Sequence, residues 1–413
     1  MQMTATGTVE PELRRIIADR DVSTLFQPIV DLRTGQLVAY EALSRGPAGS
    51  PLEMPDALFP SAAESALTVQ LDRACIEASL RAATGHGLTA PFSLFLNVEA
   101  ETIRHLGSTP PSWPVVIEVT ERNLMTDPGE LLRSVAALRA AGMLIAMDDV
   151  GSDPASLALM PLLQPDIIKL DMSLLRNRPS QNAARVMDAV STYAEHFPTV
   201  VLAEGVETAK DLVKARALGA TLGQGWYFGR PLPQPDAASV RPPFRAPTSR
   251  PLAATPFAVA AAERLPTPSN KLLLIEVSKF LEASALDCDE TTLVFSTFQQ
   301  NANFNARMLG RYTMLASRAG LVAAFVQADT EQEAGLGSVR DVRMVTFESD
   351  DALAAEWSVI VLNSRYCAML SARETPDAGD APDARETGDS FEYILTHDRG
   401  LVTRAAIALA GRL

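Results

Sequence analysis

Two adjacent aspartates and a lysine are the residues of this chain whose types and spacing best suit metal-assisted chemistry. The apolar run LIAM predicts a strand, and Asp148 and Asp149 follow it directly. Lys169 lies inside a second predicted strand, residues 166–171. Paired carboxylates bind hard divalent cations, and a nearby amine handles protons or stabilises negative charge. Taken alone, these residues would fit a solvated turn and an exposed strand lysine equally well.

The segments around these residues predict the scaffold that must position them. Between about residues 24 and 228, eight apolar strands occur, most of them followed by an amphipathic helix. This alternation indicates a parallel sheet, and its length matches a TIM-type barrel. The first two strands form a hairpin, which implies one antiparallel strand. The predicted fold class is therefore α/β: a modified TIM barrel with one antiparallel strand, plus a second, smaller α/β or α+β domain.

Nearly every predicted strand carries an acid, an amide or an amine toward its C-terminal end, where barrel enzymes build their active sites. Chance placement on seven successive strands is improbable. Clustered carboxylates repel each other unless cations neutralise them. Oxygen ligands without histidine suit Mg²⁺ or Mn²⁺. The residues are Glu41, Asn97, Glu118, Glu121, Asp148, Asp149, Lys169, Glu204, Glu207 and Gln224.

Two chemistries fit this pattern of residues. In the first, two cations assist the attack of water on a phosphodiester, and Lys169 orients or deprotonates the water or stabilises the developing charge. In the second, Mg²⁺ holds an enolate while the lysine abstracts a proton. The strand pattern by itself leaves both open.

Composition narrows the classes of partner. The chain has 413 residues and a net charge of −14, which argues against binding a nucleic-acid polymer through phosphate neutralisation. Three scattered cysteines indicate a reducing compartment, and four distant histidines argue against a zinc or copper site. No signal peptide and no membrane-length apolar run is found, so a cytoplasmic protein with no membrane anchor is expected.

Seven segments, in order along the chain, resemble the signatures of the EAL-domain family. They are QPIVDLRTGQLVAYEALSR, LFLNVE, VIEVTE, IAMDDVG, PDIIKLD, VLAEGVET and GATLGQGWYFGRP. The resemblance covers about residues 11 to 235 and implies a cyclic di-GMP phosphodiesterase on a modified TIM barrel. It also implies two Mg²⁺ or Mn²⁺ ions, linear pGpG as the product, and a homodimer formed through the barrel.

The resemblance also implies a role for each matching residue. One metal would be held by Glu41, Asn97, Glu118 and Asp148, and the second by Asp148 and Asp149. Lys169 and Glu204 would position the hydrolytic water and the shell of the second metal, with Asp149 and Glu41 also catalytic. The residues that would contact the substrate, or support the side chains around it, are Gln27, Leu43, Arg45, Glu207 and Gln224. Glu121 would steady the loop after the fifth strand.

One loop departs from the family pattern. Where the family has DDFG followed by glycine and tyrosine, this chain has DDVGSDPAS, with Val150, Asp153 and Pro154 at the altered positions. Pro154 stiffens the loop because its ring fixes φ. All ligand positions are filled, which favours activity. A receptor that binds the dinucleotide without turnover is the alternative, and an interaction scaffold is a third.

The C-terminal part predicts a separate regulatory module. Dense prolines over residues 236–269 predict an extended, semi-rigid linker. Residues 270–413 predict an α/β or α+β domain without a catalytic constellation. The segment VFSTFQQNANFNARMLGRYTMLASRAGLVAAFV resembles the DICT domain, a sensory module. That resemblance implies a regulatory role toward an unknown ligand or protein partner.

Overall fold

The computed structural model describes residues 6–88, 92–106, 114–120, 127–152, 156–178, 180–235, 244, 255–286, 289–299, 306–328, 342–375 and 391–413. Two sheets organise them: a closed eight-stranded barrel and an open seven-stranded sheet. Within these ranges, no helix combines the length and apolarity needed to cross a membrane.

The barrel is built from strands in sequential order. They are β1 (Ser23–Asp31), β2 (Leu37–Arg45), β3 (Ser93–Asn97), β4 (Val115–Thr120), β5 (Leu144–Val150), β6 (Ile167–Leu170), β7 (Val200–Ala203) and β8 (Leu222–Gln224). Strand β1 runs antiparallel to both β2 and β8, and the other neighbours are parallel. The predicted modified TIM barrel with one antiparallel strand is confirmed.

Helices surround this barrel and precede or follow its strands. They are α1 (Thr6–Asp19), α2 (Pro55–Glu64), α3 (Thr68–Gly85), α4 (Ala100–Ile103), α5 (Pro128–Ala140), α6 (Ser156–Leu163), α7 (Ser173–Arg176), α8 (Gln181–His196) and α9 (Ala209–Ala217). Local sequence sets several of their ends. Asp127 accepts from the Glu130 amide at the start of α5, and Thr208 forms a capping box with Asp211 at the start of α9.

The C-terminal domain is a sheet covered by helices on both faces. Its strands are β9 (Thr267–Ser269), β10 (Leu293–Phe298), β11 (Leu321–Gln327), β12 (Val342–Phe347), β13 (Glu356–Leu362), β14 (Cys367–Glu374) and β15 (Phe391–Thr396), in the order β12-β11-β10-β13-β14-β15-β9. Its helices are α10 (Pro256–Ala261), α11 (Lys271–Leu286), α12 (Ala306–Ala316) and α13 (Arg399–Ala410). The second α/β domain is confirmed. Helices α11 and α12 pack on one face, and α10 and α13 pack on the other.

The domain packs directly against the barrel. Helix α13 contacts α5 and α6, and one apolar cluster continues from the barrel helices into the inner face of the sheet. Polar pairs lie around it: Arg365 Nε lies 3.0 Å from Asp188 Oδ2, and Arg185 pairs with Glu290. The two domains therefore share an apolar interface.

Several predicted boundaries need correction. The linker predicted for residues 236–269 is too long, because α10 packs on α13 and β9 pairs with β15. Residues 236–243 and 245–254 lie outside the described ranges. The first helix begins at Thr6, before the predicted start of the barrel domain at residue 11. Strand β14 lies inside the sheet, between β13 and β15, and most of its residues are buried.

Candidate active site

The mouth of the barrel gathers the polar side chains because neighbouring strands end there in register. Gln27 on β1 lies opposite Glu41 on β2, and Asn97 on β3 lies opposite Glu118 on β4. Lys169 is in β6, between the strands that carry Asp148 and Glu204. Residues far apart in the chain thus meet in one cluster.

Lys169 lies at the centre of this cluster. Its Nζ lies 2.6 Å from Glu118 Oε1, 2.7 Å from Glu204 Oε1 and 3.0 Å from Asp148 Oδ1. Oε1 of Glu41 is 3.8 Å away. The lysine side chain is 1% exposed, so a single buried ammonium faces four carboxylates. Four carboxyl groups outnumber the one ammonium, and this set of oxygen ligands suits added cations.

The electrostatics of the cluster follow from burial and from this excess charge. Burial alone would lower the pKa of Lys169, but the four carboxylates together raise it well above its ordinary value. Burial and the nearby Glu41 raise the pKa of Glu118 far above that of an exposed glutamate. In the metal-free site Lys169 is therefore protonated, and its ammonium pairs with the carboxylates around it.

Two amides hold Glu41 in place. The Nδ2 of Asn97 donates to Oε1 at 2.7 Å, and the Nε2 of Gln224 donates to Oε2 at 2.5 Å. Burial would raise the pKa of Glu41, but Lys169 and these two donors reverse that effect and lower it. Glu41 is therefore an ionised carboxylate in a fixed orientation, as a metal ligand must be.

A backbone irregularity brings Asp148 and Asp149 to the same edge. The pairing of β5 with β6 shifts register between Met147 and Val150, and Asp149 adopts a left-handed backbone with φ of +56°. Few residues other than glycine adopt this conformation, though aspartate tolerates it best. With this backbone, both carboxylates lie at the barrel mouth near that of Glu204.

The carboxylates of Asp148, Asp149 and Glu204 are close enough to bind one cation. One oxygen from each lies within 4.8 Å of the others. Burial first, and then Asp148, raise the pKa of Asp149, and burial raises that of Glu204 to about 8. Such raised values mark carboxylates that lack a full set of positive partners.

A second group of donors, Glu41, Asn97, Glu118 and Asp148, fits another cation. Oε2 of Glu118 is buried and makes no hydrogen bond within the described ranges. A buried carboxylate oxygen without a donor is costly unless a cation completes it. All donors of both groups are hard oxygen atoms or an amide, so Mg²⁺ or Mn²⁺ fits them.

A cleft of about 450 Å³ opens beside the carboxylates. Glu41 and Glu118 form one end, and Leu43 and Arg45 on β2 line its wall together with residues of α2 and α3. The guanidinium of Arg45 donates to the Ser44 carbonyl at 2.8 Å and is half-buried. A negatively charged molecule could lie between this guanidinium and cations on the carboxylates.

A comparison with family profiles decides the assignment of the barrel. The profile described as "EAL domain" matches residues 10–231, which is more than half of the chain. The chain belongs to the EAL-domain family. A second profile, "Sensory domain in DIguanylate Cyclases and Two-component system" (DICT), matches residues 258–375. Both predicted resemblances are confirmed.

Several curated proteins resemble the EAL part of the chain. A protein of Azorhizobium caulinodans described as uncharacterized is 32% identical over 58% of this chain and 35% of its own length. "Probable cyclic di-GMP phosphodiesterase PdeG" of Escherichia coli is 30% identical over 57% of this chain and 49% of its own length. PdeB of the same organism, with the same description, is 30% identical over 54% of this chain and 45% of its own length. The chain thus spans between about a third and a half of these relatives.

Solved structures also resemble the EAL domain. The PaMucR phosphodiesterase in complex with c-di-GMP has a TM-score of 0.48 at 27% identity, covering 55% of this chain and 97% of that chain. Klebsiella pneumoniae BlrP1, in a manganese and cyclic di-GMP complex, has a TM-score of 0.46 at 28% identity, covering 51% of this chain and 56% of that chain.

Within this EAL domain, the predicted site residues have different positions. Gln27 accepts from Gln224 at 3.0 Å and so touches the cluster. Glu207 pairs instead with Arg176, 2.5 Å away, and its carboxylate takes no part in the cluster's described contacts. Glu121, Asp153 and Pro154 lie outside the described residues.

Sequence reasoning missed Asp72, a buried aspartate of α3 that also lines the cleft. Its Oδ2 accepts from the Glu99 amide at 2.9 Å. Burial raises its pKa to about 6. No motif marks it, and the only signal is a charged residue at an otherwise apolar position between Leu71 and Ala74.

Proposed function

We propose that the EAL domain hydrolyses cyclic di-GMP to linear pGpG with the help of two divalent cations, Mg²⁺ or Mn²⁺. The single observation that carries this proposal is the ring of four carboxylates around Lys169 at the mouth of the barrel. It supplies more negative charge than one lysine balances, beside a cleft with an arginine. The relatives described as probable cyclic di-GMP phosphodiesterases support the choice of substrate.

Two sets of residues would hold the cations. Asp148, Asp149 and Glu204 would hold one. The other would be held by Glu41, Asn97, Glu118 and Asp148. When bound, the cations supply an activated water at neutral pH and neutralise the charge that develops on the phosphate. The net reaction adds water across one of the two phosphodiester bonds and leaves a 5′-phosphate and a free 3′-hydroxyl.

The side chains of the chain itself contribute orientation and proton control. Lys169 forms ion pairs with three of the carboxylates and so holds them in place. Asn97 and Gln224 keep Glu41 in one orientation. Arg45 and Leu43 would contact the nucleotide in the cleft. The relatives described as probable cyclic di-GMP phosphodiesterases favour phosphodiester hydrolysis over enolate chemistry.

One incubation tests the proposal. Purified full-length chain is mixed with cyclic di-GMP and Mg²⁺ or Mn²⁺, and the products are separated by chromatography. We expect pGpG, its loss with EDTA, and a loss of at least about a hundredfold in Glu118→Gln. Glu64→Gln, at an exposed position of α2, serves as the control and should keep full activity.

The altered loop DDVGSDPAS favours one competing function, a receptor that binds cyclic di-GMP without turnover. Titration calorimetry with Ca²⁺ and cyclic di-GMP distinguishes the two. Tight binding with no pGpG in Mg²⁺ and Mn²⁺ would identify the receptor. If the chain neither binds nor hydrolyses cyclic di-GMP, an interaction scaffold is the remaining function.

We also propose that the C-terminal domain regulates the barrel and that the barrel forms a homodimer. The contact of α13 with α6 supports regulation, because α6 is the next helix after the strand that ends in Asp148 and Asp149. Comparing the pGpG rate of the full chain with that of residues 6–235 tests the first proposal. Light scattering with and without cyclic di-GMP tests the second.

A further inference from the structure

A cavity of about 320 Å³ lies in the C-terminal domain, on the face of its sheet opposite α10 and α13. Residues of α11, β10, α12 and β13 line it. This volume is at the lower end of the range for small-molecule sites in proteins. The cavity shares no residue with the carboxylate cluster of the barrel, so its function is separate from that site.

The apolar part of the cavity is formed by two aromatic rings and a thioether. Phe298 and Trp357 come from neighbouring strands of the sheet, and Met308 comes from α12. Phe298 is buried and stands edge-on to Tyr312, with ring centroids 5.7 Å apart. Aromatic and thioether groups of this kind pack well on a planar apolar ligand.

The lining of the cavity has more basic than acidic residues, although Lys279 also pairs with the exposed Glu276 at 2.7 Å. The lining includes one carboxylate, Glu282, and four basic residues: Lys271, Lys279, Arg307 and Arg311. The lining is therefore positive, whereas the whole chain has a net charge of −14. A local reversal of sign inside a concave site attracts anions.

The single carboxylate of the cavity is already neutralised. Glu282 is 2% exposed, pairs with Arg311, and accepts from the Tyr312 hydroxyl at 3.0 Å. That hydroxyl also lies 2.5 Å from Oγ of Ser296 on the sheet. The network fixes Arg311 at the floor of the cavity. A guanidinium has five N–H donors, so the pair with Glu282 leaves donors for a ligand.

We propose that this cavity binds a small organic anion with a planar apolar body. Its carboxylate or phosphate group would lie against Lys279, Arg307 and Arg311. Its apolar body would lie between Phe298, Met308 and Trp357. The preference for an anion follows from the four basic residues, and the preference for an apolar body follows from the aromatic walls.

Binding of a matched pair of fluorescent probes to the full chain tests this inference without any assay of the barrel. The anionic probe is 1-anilinonaphthalene-8-sulfonate, and the neutral probe is N-phenyl-1-naphthylamine, which lacks the sulfonate. We expect saturable binding of one anionic probe per chain and at least about tenfold weaker binding of the neutral probe. Excitation of tryptophan should sensitise the emission of the bound probe, and this emission should fall strongly in Trp357→Phe, a variant that keeps the aromatic wall and two other tryptophans.

Variants separate the charge of the cavity from its apolar wall. Arg307→Met and Lys279→Met should each lower the affinity for the anionic probe by roughly tenfold and leave the affinity for the neutral probe unchanged. Trp357→Ala should lower the affinity for both probes. Two controls should change neither: Lys210→Met, at an exposed position of α9, and Phe280→Ser, at a 67% exposed position on the outside of α11.

Displacement then identifies the charged group. If the site accepts a carboxylate, 1-naphthoate should displace the anionic probe. If it accepts a phosphate, 1-naphthyl phosphate should displace it. The neutral compound 1-naphthylmethanol is the control and should displace the probe only weakly. The inference is overturned if both probes bind equally well, if binding does not saturate, or if Phe280→Ser weakens it more than Arg307→Met does. Failure of both naphthyl anions to displace the probe would also overturn it.

Discussion

The Nζ of Lys169 lies 2.6 Å from Oε1 of Glu118, and both side chains are 1% exposed. A charge pair so deeply buried costs more to desolvate than its own attraction returns, so it persists for function more than for stability. The pair lies on two strands that are not neighbours in the barrel, β4 and β6. It therefore links two strands that flank β5, the strand that carries Asp148 and Asp149, and fixes the distance between them.

Removal of this lysine should strongly destabilise the metal-free protein. Lys169→Met leaves four carboxylates near one another without a cation, so we expect a loss of about 3–5 kcal/mol of unfolding free energy in EDTA. Urea unfolding followed by circular dichroism measures it. Mn²⁺ should restore part of the loss, because the vacated charge is then replaced. Lys210→Met is the matched control, and an equal effect of the two substitutions would contradict the central role of Lys169.

Asp72 should make stability depend on pH in a narrow acidic window. Burial raises its pKa from 3.8 to about 6, so between these values the native state binds more protons than the unfolded state. Stability then falls as pH rises through the window. Asp72→Asn keeps an acceptor for the Glu99 amide and removes the charge. We expect no change at pH 4 and a gain of about 1–3 kcal/mol at pH 7.5.

Urea unfolding at several pH values between 4 and 8 measures this effect. Asp350→Asn, at an exposed position, should leave the pH profile unchanged. A profile of Asp72→Asn parallel to that of the parent would show that Asp72 does not titrate with a raised pKa.

The sequence predicted the barrel well because its strands obey local rules. Apolar runs such as the one before Asp148 need no tertiary information, and the hairpin of β1 and β2 follows from a turn with Gly35. Register then places Glu41, Glu118 and Lys169 together without further assumption. The gathering of these side chains at one end of the barrel could thus be predicted from the strands, whereas their individual roles stay a prediction.

Other features depended on contacts that the sequence does not encode locally. Glu207 has the right position in its motif, but its carboxylate pairs with Arg176 at the end of α7. Helix α10 and strand β9 lie in a proline-rich stretch, and only pairing with β15 and α13 organises them. Long-range packing of this kind overrides local composition.

Gly225 should tolerate no side chain. Its φ is +146°, and a Cβ there would lie 2.2 Å from the Val206 carbonyl oxygen, which is backbone and cannot move away. The adjacent Gln224 carbonyl accepts from the Val206 amide at 3.0 Å, so a shift would displace the amide that holds Glu41. Gly225→Ala should cost at least about 3 kcal/mol and lower activity, measured by urea unfolding and pGpG formation.

Gly85→Ala is the control for this substitution. That residue ends α3 with nothing within 4 Å of the added methyl group, so the change should be neutral or stabilise by up to about 1 kcal/mol. If Gly225→Ala were as well tolerated as Gly85→Ala, the link between this turn and Gln224 would be wrong.

The two domains should unfold together and not one after the other. The apolar cluster continues from the barrel helices through α13 to the inner face of the C-terminal sheet, and Arg133 donates to the Gly411 carbonyl at 2.5 Å. A shared core of this kind couples the stabilities of its parts, because unfolding either domain exposes the apolar face of the other. Calorimetry of the full chain should give a single transition. Residues 6–235 alone should melt at a lower temperature, since they lose the cover of α13.

A matched pair of variants tests this coupling. Leu409→Ser, at a fully buried position of α13, should lower the temperature of the single transition as a whole. Leu395→Ser, at a 44% exposed position, should leave it nearly unchanged. Two resolved transitions, with only the second lowered by Leu409→Ser, would mean that the barrel is stable without the C-terminal domain.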